Sequence, residues 1–256
     1  MSNLKPKPSL KPVLRPTLAP SKLPTEKTVL AQGAKDHIML FFGPPGIGKT
    51  TFVNSLADRV LFLSTDRGTR SQSALRIEVL DVETLDRVVT ALEQDRNKAG
   101  YDIICIDHVD DVCSYLEEAV CKKLNIESLA DAGYGKGWKL YKEAIHQIVG
   151  RLKRLNVGLV FICHETIKTV KMDGLEMDRI MPDLSKSAWK VVIPLVDLVG
   201  FCGSKAVKDA EGKRKEIRVL ETVARRDLYV KDRTRRKLPS GVEMLDGRQF
   251  IKSFGV

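Results

Sequence analysis

The chain contains no run of about 18 apolar residues, so no membrane span is expected. Its N-terminus is basic but has no apolar stretch behind it, which argues against a secretory leader. The five cysteines (Cys105, Cys113, Cys121, Cys163 and Cys202) include no Cys-x-x-Cys and no spacing of the usual zinc kind. A disulfide framework and a structural zinc site are therefore not expected, and the thiols read as reduced packing groups of a cytosolic protein. No internal repeat is visible.

Acidic charge is scarce in residues 1–35, which hold one acid, and is outnumbered by Lys and Arg in 204–256. Residues 1–35 carry a net +6 and residues 204–256 a net +7, which leaves −3 for the segment between. Clustered basic charge at the ends suits a polyanion such as nucleic acid, and suits a solvated surface equally well. Six of the eleven prolines fall in residues 1–35, interleaved with lysine. With little apolar surface to offset chain entropy, this segment is expected to be a disordered basic arm. Residues 36–240 read as the folded core, and 241–256 as a C-terminal tail.

From residue 37 apolar strands alternate with amphipathic helices. Ile38–Phe42 is a short continuous apolar run, as in a buried parallel strand. Strands are expected at Val60–Ser64, Arg76–Leu80, Asp102–Ile106, Val157–Cys163, Val196–Cys202 and Glu216–Val223. Helices are expected at Thr50–Asp58, at 82–95, and along a face marked by Tyr141, Ile145, Ile148, Val149, Leu152 and Leu155. Residues 165–187 read as a polar stretch. The alternation predicts an α/β fold with a mostly parallel sheet covered by helices on both faces.

The sequence Gly43-Pro44-Pro45-Gly46-Ile47-Gly48-Lys49-Thr50, followed by Thr51, matches G-x-x-x-x-G-K-[ST] between a strand and a helix. Its glycines let backbone N–H groups converge on phosphate oxygens. Lys49 is placed to reach the β- and γ-phosphates, and Thr50 to ligate magnesium. ATP and Mg²⁺ are the expected ligands. Four apolar residues lead to Asp107, which fits the second, metal-holding aspartate of such sites. Asp110 and Asp111 read as a helix N-cap pair. Position 108 is His, where many related enzymes carry a water-activating glutamate. Asp66, just past Val60–Ser64, is the candidate base, and it reads equally as a turn residue in Asp66-Arg67-Gly68.

On these segments the chain resembles RecA-core ATPases, and more closely the small phage ATPases linked to single-strand annealing and recombination. Leu61–Asp66 is similar to the family strand that ends in a catalytic glutamate. Gly133–Trp138 is similar to its glycine-rich segment, and Gly158–Glu165 to the strand that ends in a polar sensor, with His164 in the sensor place. Val230–Thr234 is similar to a late K-x-R element, which implies that Lys231 and Arg233 act in a neighbour's site. The resemblance spans about residues 37–240. It implies a RecA-like fold, ATP hydrolysis, single-stranded DNA as partner and a homo-oligomeric ring or filament in the cytoplasm, the host's if the gene is a phage's.

By their own chemistry these residues have other readings. His164 reads also as a structural histidine, and Lys231 and Arg233 as surface charges in an arginine-rich stretch. Tyr134 and Lys136 combine an aromatic face with positive charge, as base stacking needs. Trp138 reads with Tyr141 as the start of a core face. Lys168 and Lys171 lie where RecA-type proteins keep a DNA-contacting loop. Two other functions stay open: a P-loop nucleotide or small-molecule kinase with an arginine-rich lid at 225–237, and a nucleotide-gated scaffold that does not hydrolyse.

Overall fold

A computed structural model describes residues 36–66, 73–95, 100–208, 212–234, 238, 240–244 and 247–254. The expected arm at 1–35 lies outside the described residues. In chain order the elements are β1 (Ile38–Phe42), α1 (Lys49–Asn54), β2 (Val60–Ser64), β3 (Leu75–Glu78), α2 (Val82–Asp95), β4 (Ile103–Asp107) and α3 (Val109–Leu124). There follow α4 (Lys136–Lys153), β5 (Gly158–Cys163), β6 (Glu165–Met172), β7 (Leu175–Pro182), α5 (Lys186–Leu195) and β8 (Leu198–Lys208). The chain ends with β9 (Arg214–Glu221), β10 (Lys231–Asp232), β11 (Val242–Glu243) and α6 (Gly247–Lys252).

The main sheet has the order β11-β9-β8-β1-β5-β4-β2-β3, with β10 paired to the start of β8. The strands from β8 to β3 are all parallel, and β9, β10 and β11 run antiparallel to their partners. Strands β1, β2, β4 and β5 are buried along their whole length, which explains why they read as unbroken apolar runs rather than alternating ones.

Helices cover both faces. On one, Leu85 and Val89 of α2, Val112 and Leu116 of α3, Tyr141 and Ile145 of α4, and Val191 of α5 close a large core. On the other, Phe52 and Val53 of α1 and Phe250 of α6 pack against Met39, Phe41 and Phe62. Arg151 of α4 bridges to α2, pairing with Asp86 and Glu93 and donating to Thr90 at 2.7 Å.

Three differences from the sequence reading have physical causes. Residues 165–187 are not an irregular polar stretch: β6 and β7 form an antiparallel hairpin, then α5 begins. The hairpin turn is Asp173-Gly174, both at positive φ (51° and 83°), as a two-residue hairpin turn requires. Its strand β7 is braced by the segment before β10, with Ile180 N–H donating to Asp227 O at 2.8 Å and Tyr229 N–H to Ile180 O at 2.9 Å. The described residues 241–244 and 247–254 are joined to the core: β11 extends the sheet, and Phe250 and Phe254 are buried. Finally, Tyr141 belongs to the core face of α4, whereas Trp138 points outward and stays exposed.

Candidate nucleotide site

β1 delivers the chain to a glycine-rich loop at the carboxyl end of the sheet. Gly43 has no room for a side chain, since a Cβ there would lie 2.0 Å from the Cys202 carbonyl oxygen. Gly48 caps α1 in the left-handed region at φ 100°. The loop therefore lies against the middle of β8 at Cys202, with the bend that lets such a loop present its N–H groups to an anion.

Lys49 is 5% exposed, and its Nζ donates to Gly43 O at 2.7 Å and Pro44 O at 3.0 Å. Burial lowers its pKa, opposed by the nearby Asp107 and Asp110. Thr50 Oγ1 donates to Asp107 Oδ2 at 2.9 Å, so the two halves of the expected metal site meet across 57 residues of sequence. Asp107 is the last residue of β4, not the residue after it, and is 1% exposed. Burial raises its pKa, against the pull of His108, the Thr50 hydrogen bond and Lys49. Its Oδ1 is buried and lacks a hydrogen-bond partner, with His108 Nε2 3.2 Å away. A buried carboxylate oxygen short of a donor beside a threonine hydroxyl is a hard-oxygen donor set that fits Mg²⁺.

A cavity of about 300 Å³ is lined by Pro45, Gly46, Gly48, Lys49, Thr50 and Thr51 on the loop side. Asp66, His108, His164 and Arg218 close it. The structure thus brings Asp66 and His164 to the same pocket as the loop. His164 Nδ1 lies 2.6 Å from Asp110 Oδ2, and its ring stacks on His108 with centroids 4.0 Å apart. The peptide bond between Asp107 and His108 is cis. Thr65 Oγ1 accepts from His108 N–H at 3.0 Å and donates to Asp111 Oδ2 at 2.6 Å. Asp110 and Asp111 are therefore not cap residues. Both lie in the first turn of α3, where Asp110 holds His164 and Asp111 holds Thr65, the residue just past β2.

Several predicted residues lie elsewhere. Lys231 Nζ donates to Val196 O at 2.7 Å and to Ile193 O, and Arg233 Nη2 donates to Pro194 O at 2.8 Å and Val196 O at 3.0 Å. Both side chains thus satisfy the last carbonyls of α5, at the start of β8 and the opposite end of the sheet from the loop. Neither reaches the phosphate pocket of its own chain. Arg225 pairs with Asp227 and Glu221, and Arg226 with Asp173. The described arginines of 225–233 thus form no lid over the loop, and Arg235, Arg236 and Lys237 lie outside the described residues. Tyr134 is 113% exposed in a turn between two glycines of positive φ, and Lys136 is exposed at the start of α4. Lys171 is exposed on β6, but Lys168 donates its ammonium to Leu184 O at 3.0 Å.

Sequence reasoning missed His108 as a pocket wall, Asp110 as the partner of His164, and Arg218 altogether. It also missed Glu165, whose Oε2 is buried without a hydrogen-bond partner and whose pKa is raised by burial. No sequence signal singled out Arg218: Val219 and Leu220 after it are both buried, and the pairing of β9 with β8 is what fixes its face.

The fold and this pocket define an α/β P-loop nucleotide-binding domain. The chain belongs to the AAA domain family, which matches residues 35–234. It is also similar to the SPbeta prophage-derived uncharacterized protein YorG of Bacillus subtilis strain 168, at 21% identity over 187 residues. That match covers 71% of this chain and 55% of YorG, so the chain spans little more than half of that relative's length. No helix among the described residues is long and apolar enough to cross a membrane.

Proposed function

We propose that this chain is a Mg²⁺-dependent ATPase with a RecA-like core, whose turnover is coupled to single-stranded DNA in recombination, annealing or repair. The observation that carries the ATPase reading is the Thr50–Asp107 contact at 2.9 Å inside a pocket walled by the glycine loop and Lys49. The loop N–H groups and Lys49 bind the phosphates, and Lys49 exchanges its loop carbonyls for phosphate oxygens. Thr50 and Asp107 hold Mg²⁺, which when bound neutralises charge on the phosphate oxygens. Asp66 orients the attacking water from the end of β2. His164, fixed by Asp110, hydrogen-bonds the γ-phosphate.

The DNA reading is supported by two exposed aromatics, Tyr134 and Trp138, with Lys136 and Lys139 exposed between and beside them. Base stacking on such rings, with lysines for the backbone, is sequence-tolerant binding. The hairpin that starts directly after His164 adds Lys171. The kinase alternative gains nothing from the described arginines of its lid, since Arg225, Arg226 and Arg233 have other partners.

The test is phosphate release from ATP with and without single-stranded DNA, for wild type and Tyr134→Ala. Stimulation by DNA that is weakened about 5- to 100-fold in DNA affinity by the substitution supports the coupling. A rate indifferent to DNA removes the coupling and leaves the ATPase.

A further inference from the structure

We propose that Arg218 is a nucleotide-binding residue acting in cis, holding the α- and β-phosphates from the side of the pocket opposite Thr50 and Asp107. The inference rests on the ATP reading above and deepens it.

The register of the sheet places this side chain. β9 runs antiparallel to β8, with Leu220 opposite Cys202 and Arg218 opposite Ser204. Leu220 packs with Phe41 and Phe52, so it faces α1. Side chains two residues apart on a strand share a face. Arg218 therefore stands on the α1 face, one step nearer the carboxyl end of β8 than Cys202, whose carbonyl abuts Gly43. That step brings the guanidinium to the loop: a Cβ built on Gly48 would lie 3.0 Å from Arg218 Nη1 and 3.9 Å from Cζ. No hydrogen bond or ion pair to another described residue holds it there, and it lines the pocket.

The chemistry separates its role from that of the other basic groups. Backbone N–H groups of such loops cradle the α- and β-phosphates, while the lysine reaches the β- and γ-phosphates and the threonine the metal. A guanidinium beside Gly48 is thus next to the phosphates that ATP and ADP share. Arginine supplies planar, bidentate donors that match phosphate oxygens. β9 and β2 lie on opposite sides of β1 in the sheet, so Arg218 and Asp66 line the cavity from opposite sides. Because β9 belongs to the same sheet as β1, the group reaches the phosphates of its own chain and needs no neighbour.

The experiment compares ATP and ADP affinity in full-length wild type, Arg218→Ala and Arg218→Lys, with turnover measured at saturating ATP. Arg218→Ala is expected to weaken both nucleotides about 10- to 100-fold and alike, the worth of a charge-assisted hydrogen bond. Saturated turnover is expected to fall less than about 3-fold, and Arg218→Lys to recover part of the affinity. Mixing Arg218→Ala with Lys49→Ala chains is the second arm. A cis residue gives no recovery in the mixture, because Lys49→Ala chains offer an arginine but no working loop. Recovery on mixing overturns the cis assignment. Unchanged affinity for both nucleotides, or a loss confined to saturated turnover, overturns the phosphate assignment while leaving the ATP reading intact. A wild-type chain that binds neither nucleotide brings down both.

Discussion

The two ends of the parallel sheet treat their charged groups in opposite ways. At the amino end, Lys231 Nζ and Arg233 Nη2 donate to the carbonyls that α5 leaves unsatisfied. At the carboxyl end, Asp107 Oδ1, His108 Nδ1 and Glu165 Oε2 are buried without hydrogen-bond partners, and Lys49 rests on loop carbonyls under a burial that lowers its pKa. Leaving a buried polar group unpaired costs about 1–3 kcal/mol. Among the described residues three such atoms gather at the carboxyl end, against His37 Nε2 beside the start of β1 at the amino end; that imbalance is the one expected if the first end serves ligands and the second stability.

The comparison breaks if substitutions at the two ends behave alike. The largest effect is expected at the loop. Lys49→Ala should lower ATP turnover by about 100-fold or more with little change of melting temperature, because relief of a desolvated ammonium offsets the loss of its bonds to Gly43 O and Pro44 O. Rate and thermal unfolding on one preparation check this. Next comes Asp107→Asn, expected to cost about 100-fold in Mg²⁺-dependent turnover while leaving the fold as stable or more so, because a buried carboxylate is replaced by a neutral group. Titrating Mg²⁺ against rate for both proteins checks it.

At the other end the sign reverses. Lys231→Met with Arg233→Met should destabilise the fold by about 1–3 kcal/mol through the freed α5 carbonyls, with turnover per folded molecule changed less than about 2-fold. A rate loss at unchanged stability would instead place the pair in a neighbour's site. The smallest effect concerns pH. Burial lowers the pKa of Lys231, with the neighbouring Arg233 adding to the fall. A base with a lowered folded pKa binds fewer protons in the native than in the unfolded state. Stability therefore rises as pH climbs from that lowered value toward the ordinary lysine range. Lys231→Met should flatten this alkaline slope in denaturant unfolding.

Much of the carboxyl end was legible because its chemistry is local. The loop needs glycine at Gly43, where any side chain would strike Cys202 O, and lysine and threonine at fixed offsets. Asp107 was legible from the apolar strand before it. What escaped depends on pairing. Arg218 is one of fifteen Lys and Arg residues in 204–256, and only the β8–β9 register selects it. His164 was placed by its strand, but its orienting partner Asp110 lies 54 positions away. The hairpin was missed although Asp173-Gly174 sits between alternating runs, because lysines and glutamates made the segment read as a loop. Helix α5 escaped because Pro194 lies within its last turn. That position is tolerated here, with Lys231 and Arg233 capping the carbonyls around it.

The measurement that bears most directly on the central claim is phosphate release from ATP by wild type and Lys49→Ala, each with Mg²⁺ and with a chelator. The account predicts release only by wild type and only with Mg²⁺. Release by Lys49→Ala at the wild-type rate, or none by wild type with Mg²⁺ present, would contradict it.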